Sequence, residues 1–282
     1  MAAYTVNDVL VKHILRTYPI GETIFLRGVM CTLLLGGFVL ALGHGRTLYT
    51  AMSPKLAWRS VFDGLSTAGF IAALAHMQLA NLAAVLQIAP LLIVAISVML
   101  YGEEVGWRRW TAIGVGFAGA LLVIKPLPSE FNIWALVGAG SALTAALREI
   151  QTRRIGHGIP VIVIAFWGAV GITLFGTFFA AGEQWRMFAP ADLLQLFVAA
   201  VFVTLAIYLL ALAFRDVDLS VVAPFRYSYL LTSALGGYLV FREVPDRWTV
   251  AGAILIVASG IYALHREAVH KRELSAKATT AA

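Results

Sequence analysis

The chain carries one sequence pattern twice, about half its length apart, and this repeat constrains the fold more than any other feature. Glu104-Val105, Arg109-Trp110-Thr111 and Gly114 recur in the same order as Glu243-Val244, Arg247-Trp248-Thr249 and Gly252. A long apolar run precedes each copy. Two like halves in a membrane chain are typical of secondary transporters, whose halves are related by an internal repeat.

The composition indicates a membrane protein. Apolar residues make up 60% of the 282 positions and charged residues 13%, whereas soluble domains have about 45–50% and 25%. The net charge of +6 is no sign of nucleic-acid binding, because the basic residues lie between apolar runs and form no stripe. Cys31 is the only cysteine, which excludes an intrachain disulfide and a multi-cysteine metal site. We therefore predict no metal, no cofactor and no nucleic-acid partner.

The hydropathy pattern predicts an all-α integral membrane fold with ten transmembrane helices. The predicted spans are 4–17, 22–43, 57–79, 80–101, 107–125, 133–152, 159–181, 191–213, 218–240 and 247–265, separated by Gly- and Pro-rich turns. No secretory signal pattern precedes the first span. That span is short, so we expect natural N-terminal residues to be missing. The polar tail after Leu264 is predicted to be disordered.

The distribution of basic residues predicts the orientation. Most of the Lys and Arg residues outside the spans lie on the side of the two termini, which places both termini in the cytoplasm. Because each half has five spans, an odd number, the second half enters the membrane in the opposite sense. The predicted units are a first repeat at 1–130, an inverted second repeat at 131–265 and a cytoplasmic tail at 266–282. Such inverted repeats place the substrate site near the midplane, between the halves.

The motifs of the first half resemble the drug/metabolite transporter superfamily of the EamA type. They are Leu79-Ala80-Asn81, Pro90, Gly102-Glu103-Glu104-Val105, Arg108-Arg109-Trp110, Gly119 and Lys125-Pro126, together with Glu22 to Arg27. Among its members the chain is most similar to bacterial amino-acid exporters. The resemblance implies export of neutral amino acids, aromatic ones included, across the inner membrane by alternating access. Another metabolite, such as a vitamin, nucleotide or drug, is the alternative. One departure is Phe241-Arg242, which stands where other members have Leu-Gly.

Two prolines are predicted to interrupt helices near the site. Pro90 lies within the fourth span and Pro224 within the ninth, which are counterparts in the repeat. Each proline removes a backbone hydrogen bond and clashes with the preceding turn. Interrupted helices at matching positions of two halves point to a binding site, although membrane helices also simply tolerate proline. We predict that these two residues act as hinges.

Five side chains are candidates for substrate binding: His76, Gln87, Trp167, Arg226 and Tyr227. Polar groups within spans usually face a cavity or a partner, and aromatic rings at mid-depth can line a pocket. Each candidate has a structural alternative, namely an ion pair, a helix–helix contact or core packing. Lys12 and Arg27 are close enough to span ends to extend outwards, and Asp63 is predicted to pair with Arg59 one turn away.

A zwitterionic substrate needs a cationic contact for its carboxylate. It also needs a hydrogen-bond acceptor, charged or neutral, for its ammonium group. Arg226 or His76 would hold its carboxylate. The predicted spans place no carboxylate at mid-depth, so Gln87, tyrosine hydroxyls or backbone carbonyls would accept from its ammonium group. We predict no enzyme, because the sequence offers no catalytic pair within the spans. It also contains no nucleotide-binding loop, which excludes ATP as the direct driving force. The oligomeric state is left open.

Overall fold

The computed structural model describes residues 1–101, 107–125, 132–155, 158–213 and 226–280. The described helices are α1 (Ala2–Ile14), α2 (Ile20–Ala41), α3 (Gly45–Thr50), α4 (Pro54–His76), α5 (Leu79–Leu86), α6 (Ala89–Tyr101), α7 (Trp107–Ile124), α8 (Ile133–Ile155), α9 (Val161–Ala180), α10 (Pro190–Ala213), α11 (Ser228–Gly236) and α12 (Arg247–Thr280). A π-helical segment, Gly237–Phe241, extends α11.

Proline and small polar residues start these helices, as the turn pattern predicts. Pro19 and Pro160 immediately precede α2 and α9, where a fixed φ angle favours the first turn and the missing N–H costs nothing. The Ser53 hydroxyl accepts a hydrogen bond from the Leu56 amide and caps α4. Asp246 caps α12, accepting from the amides of Trp248 at 2.9 Å and Thr249 at 3.1 Å. These local signals explain why the predicted and observed starts agree within a few residues, except for the ninth span, whose predicted start at 218 lies outside the described residues.

The ten-helix prediction is confirmed. Ten helical segments result when α5 and α6 are counted together, α11 is counted with its π-helical extension and the short α3 is set aside. Five helices of the described chain are long and apolar enough to cross a membrane: Ile20–Ala41, Leu79–Leu100, Ile133–Ile155, Val161–Ala180 and Pro190–Leu209. Two features differ from prediction. The hydropathy pattern does not predict α3, and α12 continues to Thr280, through the tail that is predicted to be disordered.

Two pairs of helices that the sequence repeat relates lie in direct contact, α2 with α9 and α7 with α12. In the α2–α9 pair, Gly28 approaches the Thr173 backbone, and Gly176 approaches the Phe25 backbone. In the α7–α12 pair, Gly119 and Gly252 each face the other's carbonyl oxygen. Small residues permit this approach of the two backbones. Helices of the first and second sequence repeats thus meet through glycine contacts.

Small residues form two rows on α7, one of Ala112, Gly116 and Ala120 and the other of Gly114 and Ala118. The two rows have different surroundings. Ala112, Gly116 and Ala120 are buried, and Gly116 packs against Leu91 and Ser259. Gly114, by contrast, has no atom within 4 Å of the position that a Cβ would occupy. One row therefore serves packing within the chain, and the other lies on an open face.

The fourth predicted span is interrupted just before Pro90. Helix α5 ends at Leu86 and α6 begins at Ala89. Between them, the backbone amides of Gln87 and Ile88 donate hydrogen bonds to carbonyls three residues earlier instead of four. The helix is interrupted here because proline cannot donate a hydrogen bond to the turn before it. Gln87 thus lies at the break. The counterpart Pro224 lies outside the described residues.

Candidate functional site

The structure brings three of the predicted site residues together. The Gln87 side-chain amide donates to the Arg226 carbonyl at 3.4 Å, which joins the α5–α6 break to the turn before α11. Tyr227 follows in that turn and is 6% exposed. Its hydroxyl has no hydrogen-bond partner among the described residues and lies against Gly260 of α12. Arg226 is half-buried and precedes the helix rather than lying well inside it.

The other two predicted residues lie elsewhere. His76 is the last residue of α4 and is exposed, with its ring stacked on Trp134 at 3.7 Å and its Nδ1 next to the Ala72 carbonyl. Trp167 donates its indole N–H to the Leu48 carbonyl at 3.2 Å and packs in an apolar cluster of α2, α3 and α9. Neither shares a contact with Gln87 or Tyr227 in the described structure, so their part in binding stays a prediction.

A buried carboxylate, which the sequence analysis did not anticipate, lies beside this group. Asp8 of α1 is 3% exposed. One of its oxygens accepts from the Tyr229 hydroxyl at 2.6 Å, and the other accepts from the Asn7 amide at 2.8 Å. The sequence analysis counted no carboxylate among the site residues, whereas the structure buries Asp8 against Tyr229. Both partners of Asp8 are neutral, so its charge is left without a hydrogen-bonded cation in this arrangement.

Positive charge lies near this carboxylate. Arg27 of α2 is 7% exposed, and it does not extend outwards as the sequence suggested. Its guanidinium is close enough to Asp8 to interact electrostatically. The Tyr4 phenol lies in the field of Arg148, Arg226, Asp63 and Asp8, so it adjoins charged groups on several helices. Helices from both halves thus assemble a polar centre, which we define as Tyr4, Asn7, Asp8, Arg27, Arg226 and Tyr229.

Polar contacts join the helices at one end of the bundle. We name it the Tyr18 end, because Tyr18 lies in the turn between α1 and α2. Lys12 forms an ion pair with Glu243 and donates to the Met77 carbonyl at 2.7 Å. The other Glu243 oxygen accepts from the Leu79 amide at 2.8 Å. These contacts tie α1, the α4–α5 junction and the segment before α12 together. Lys12 is therefore buried in an ion pair, where the sequence suggested an outward extension.

A second ion pair at the Tyr18 end joins the end of α7 to the cap of α12. Lys125 donates to Asp246 at 2.8 Å. Partial burial raises the pKa of the Asp246 carboxyl, but the hydrogen bonds from Lys125 and Thr249 outweigh it and lower the pKa to about 2. Asp246 therefore stays ionised throughout the physiological range.

The opposite end, the Leu48 end, carries a buried three-residue charge cluster. Asp63 accepts from Arg59 at 2.7 Å, which confirms the predicted pair, and from Arg148 of α8 at 3.0 Å. Gly168 of α9 lies so close to the Asp63 carboxylate and the Arg59 guanidinium that a Cβ there would overlap both. The cluster thus joins α4, α8 and α9 at this end.

The described residues contain no group of three or more His, Cys, Asp or Glu side chains that could hold a metal ion. One cavity, of about 290 Å³, lies between α7 and α12. Its lining residues are Trp107, Thr111, Ala112, Val115, Ser259 and Tyr262. None of them belongs to the polar centre or to the predicted site.

Comparison with known proteins identifies the family of this helical bundle. The sequence pattern described as the EamA-like transporter family matches residues 1–125 and 132–264. The chain belongs to the EamA-like transporter family. This membership confirms the predicted family, the ten-helix membrane fold and a multi-pass membrane location.

Relatives within the family are named for different substrates. An S-adenosylmethionine uptake transporter of Rickettsia bellii is 27% identical over 98% of this chain and 94% of the relative. A pseudopaline exporter of Pseudomonas aeruginosa strain PAO1 is 30% identical over 92% and 90%. A riboflavin transporter of Rhizobium johnstonii is 26% identical over 79% and 75%. All three names describe transport, in line with this chain's membership of the EamA-like transporter family.

A solved structure supports the fold independently. It superposes with a TM-score of 0.65 and 19% identity, over 93% of each chain. At that identity, the likeness shows the fold alone.

Proposed function

We propose that this EamA-family protein exports zwitterionic metabolites, with neutral amino acids, aromatic ones included, as its substrates. The observation that carries the proposal is the buried carboxylate of Asp8 with Arg27 and Arg226 in the same polar centre. An α-amino acid carries one ammonium and one carboxylate group, so it complements both charges. Alternating access would expose this centre first to one end of the bundle and then to the other.

The energetics of a buried charge favour Asp8 as the ammonium site. A charged side chain within a membrane span costs several kcal/mol unless it is paired, and such residues usually mark substrate or ion pathways. Tyr229 and Asn7 satisfy the Asp8 oxygens only with neutral donors. A substrate ammonium would supply the missing positive charge through a charge-assisted hydrogen bond, which is about twice as strong as a neutral one.

A second candidate is a different metabolite on the same fold, and the named relatives favour it. S-adenosylmethionine carries the ammonium and carboxylate of its methionine part, so it also suits the polar centre. Riboflavin has neither group and would bind through Tyr227 and the other aromatic residues. The relatives include both uptake and export proteins, so the direction of transport needs its own measurement.

Transport by purified protein in liposomes tests the proposal. Vesicles preloaded with labelled phenylalanine, methionine or threonine should lose label faster than protein-free vesicles, with counterflow saturating as for a carrier. The same assay with S-adenosylmethionine and riboflavin tests the second candidate. If no amino acid leaves faster than from protein-free vesicles, the amino-acid assignment is wrong.

Two single variants separate recognition from folding. Asp8→Asn keeps a hydrogen-bonding side chain but removes the charge, so we expect amino-acid affinity to fall roughly 10- to 100-fold. Asp192→Asn is the matched control, since Asp192 accepts from Tyr18 at the Tyr18 end, outside the polar centre. Tyr227→Ala should also weaken binding. Equal affinities in Asp8→Asn and Asp192→Asn would remove Asp8 from the site.

The proposed topology has two inverted units, 1–130 and 131–265, in the bacterial inner membrane, with both termini and the tail 266–282 in the cytoplasm. In this orientation the Tyr18 end faces outwards. Single cysteines introduced at positions 130 and 155, in a variant lacking Cys31, test it with a membrane-impermeant thiol reagent. Position 130 should react from outside and position 155 only from inside. Reaction of both from one side would overturn the topology.

A further inference from the structure

Two buried side-chain donors without partners lie between α2 and α10. The Arg27 Nη1 atom and the Thr204 hydroxyl are both without a hydrogen-bond partner among the described residues. Arg27 is 7% exposed and Thr204 is 3% exposed. The Cys31 sulfur, one turn after Arg27, lies beside both of them and is at most a weak acceptor for either. Two strong donors on α2 and α10 thus lie close together with no strong acceptor in the described part of the chain.

An unsatisfied guanidinium inside a membrane bundle needs a physical reason. A buried donor without a partner costs about 1–3 kcal/mol, and more when it is charged. Arg27 lies two turns into α2, about 10 Å from its start at 1.5 Å per residue, and is too enclosed to reach solvent. Asp8 acts on Arg27 through its charge, but the hydrogen bonds that it accepts come from Tyr229 and Asn7. Among the described residues the Arg27 Nη1 atom is thus left without a partner.

An anionic oxygen is the group that would satisfy both donors at once. Guanidinium binds carboxylates in a fixed, often bidentate geometry, and a threonine hydroxyl can donate a further hydrogen bond. We propose that Arg27 and Thr204 form the subsite for the carboxylate of the transported substrate, with Cys31 in its wall. This subsite rests on the proposed function, in which Asp8 takes the ammonium group. Together the two subsites would select molecules that carry both charges.

The single cysteine allows a direct test on the natural sequence, because Cys31 is the only thiol in the chain. The rate of its alkylation by N-ethylmaleimide is measured in liposomes with 3-phenylpropionate, phenethylamine or phenylalanine present. We expect 3-phenylpropionate and phenylalanine to slow alkylation at least several-fold and phenethylamine to leave it unchanged. Equal protection by the amine and the acid, or protection by neither, would overturn the subsite.

Variants test the same point through selectivity. Arg27→Gln should weaken phenylalanine binding roughly 10- to 100-fold and leave phenethylamine binding unchanged, so the preference for phenylalanine disappears. Arg27→Lys should restore part of that preference, and Thr204→Val should lower it by a smaller factor. The control is Arg46→Gln, an exposed position outside the polar centre. If Arg27→Gln weakened the binding of phenylalanine and of phenethylamine by the same factor, the role of Arg27 would be structural and the proposal would be contradicted.

Failure of this subsite is distinguishable from failure of the proposed function. If phenylalanine is transported but 3-phenylpropionate does not protect Cys31, the carboxylate binds elsewhere and the subsite is wrong. If 3-phenylpropionate protects Cys31 but no amino acid is transported, the anion subsite stands and the substrate is a different carboxylate. Should Arg27→Gln fail to fold in detergent, the alkylation result on the natural sequence decides alone.

Discussion

The contact between Gly119 and Gly252 makes a sharp prediction about stability. A Cβ added at Gly119 would lie 2.8 Å from the Gly252 carbonyl oxygen and 3.0 Å from side-chain atoms of Leu255 and Ile256. Carbon contacts are favourable at about 3.5–4.0 Å, so α7 and α12 would have to separate. Overpacking of this kind costs about 1–3 kcal/mol. We expect Gly119→Ala to destabilise the bundle.

Gly114 provides the matched control on the same helix. A Cβ there meets no atom within 4 Å, so Gly114→Ala gains helix propensity, up to about 1 kcal/mol, without a clash. Gly119→Ala has the same gain in propensity, so the difference between the two variants isolates the contact. We expect that difference to be about 1–3 kcal/mol in the free energy of unfolding, measured by titrating sodium dodecyl sulfate into mixed micelles.

A double variant tests whether the two glycines act as one contact. The Gly252→Ala methyl would lie 2.5 Å from the Gly119 carbonyl oxygen, so either single change already forces the helices apart. The double variant should lose less than the sum of its parts, with a coupling of about 0.5–3 kcal/mol. Strict additivity, or equal stability of Gly114→Ala and Gly119→Ala, would refute the reasoning.

Three further predictions concern the Tyr18 end and the turns. Lys12→Met leaves Glu243 buried without its cation and should cost about 3–5 kcal/mol, part of which the double variant with Glu243→Gln should recover in the same titration. Arg242 has a φ of +59°, so Arg242→Gly should be neutral or stabilising by up to about 1 kcal/mol, whereas Gly43→Ala, at a φ of +74°, should lose stability. Asp246→Asn keeps the helix cap but loses the ion pair. Because the folded pKa of Asp246 is lowered to about 2, its contribution is complete above about pH 4 and declines towards pH 2, so the stability difference between the natural protein and Asp246→Asn should shrink only in that window.

The helices were predictable from the sequence because their signals are local. Apolar runs of membrane length and prolines at their starts are readable within twenty residues. The break before Pro90 follows from the chemistry of one residue. The repeat then relates helices of the two halves, since counterpart helices can be aligned by their motifs. The end of α12 was missed because the tail that continues it is polar.

The polar centre was harder to predict because it depends on contacts between distant positions. Asp8 lies four residues before Lys12 in a short first span, a pattern that also suits a solvated pair. Its partner Tyr229 is 221 positions away, and no local pattern indicates that contact. His76 and Trp167 were chosen by depth alone, which ignores the rotation of a helix about its axis. Arg27 was expected to extend outwards because it lies close to the start of a span.

Helix α9 closely approaches the charge cluster of Arg59, Asp63 and Arg148, which limits the substitutions that this sequence can accept. A larger residue at 168 overlaps the carboxylate of Asp63 while that carboxylate is present, and loss of Asp63 leaves Arg59 and Arg148 without their shared anion. Either change alone is therefore harmful, although the two positions together could accept a different pair of residues if both arginines also changed. Positions 63, 168, 59 and 148 thus form an epistatic block, in which single-step evolution is obstructed and substitution has to be concerted.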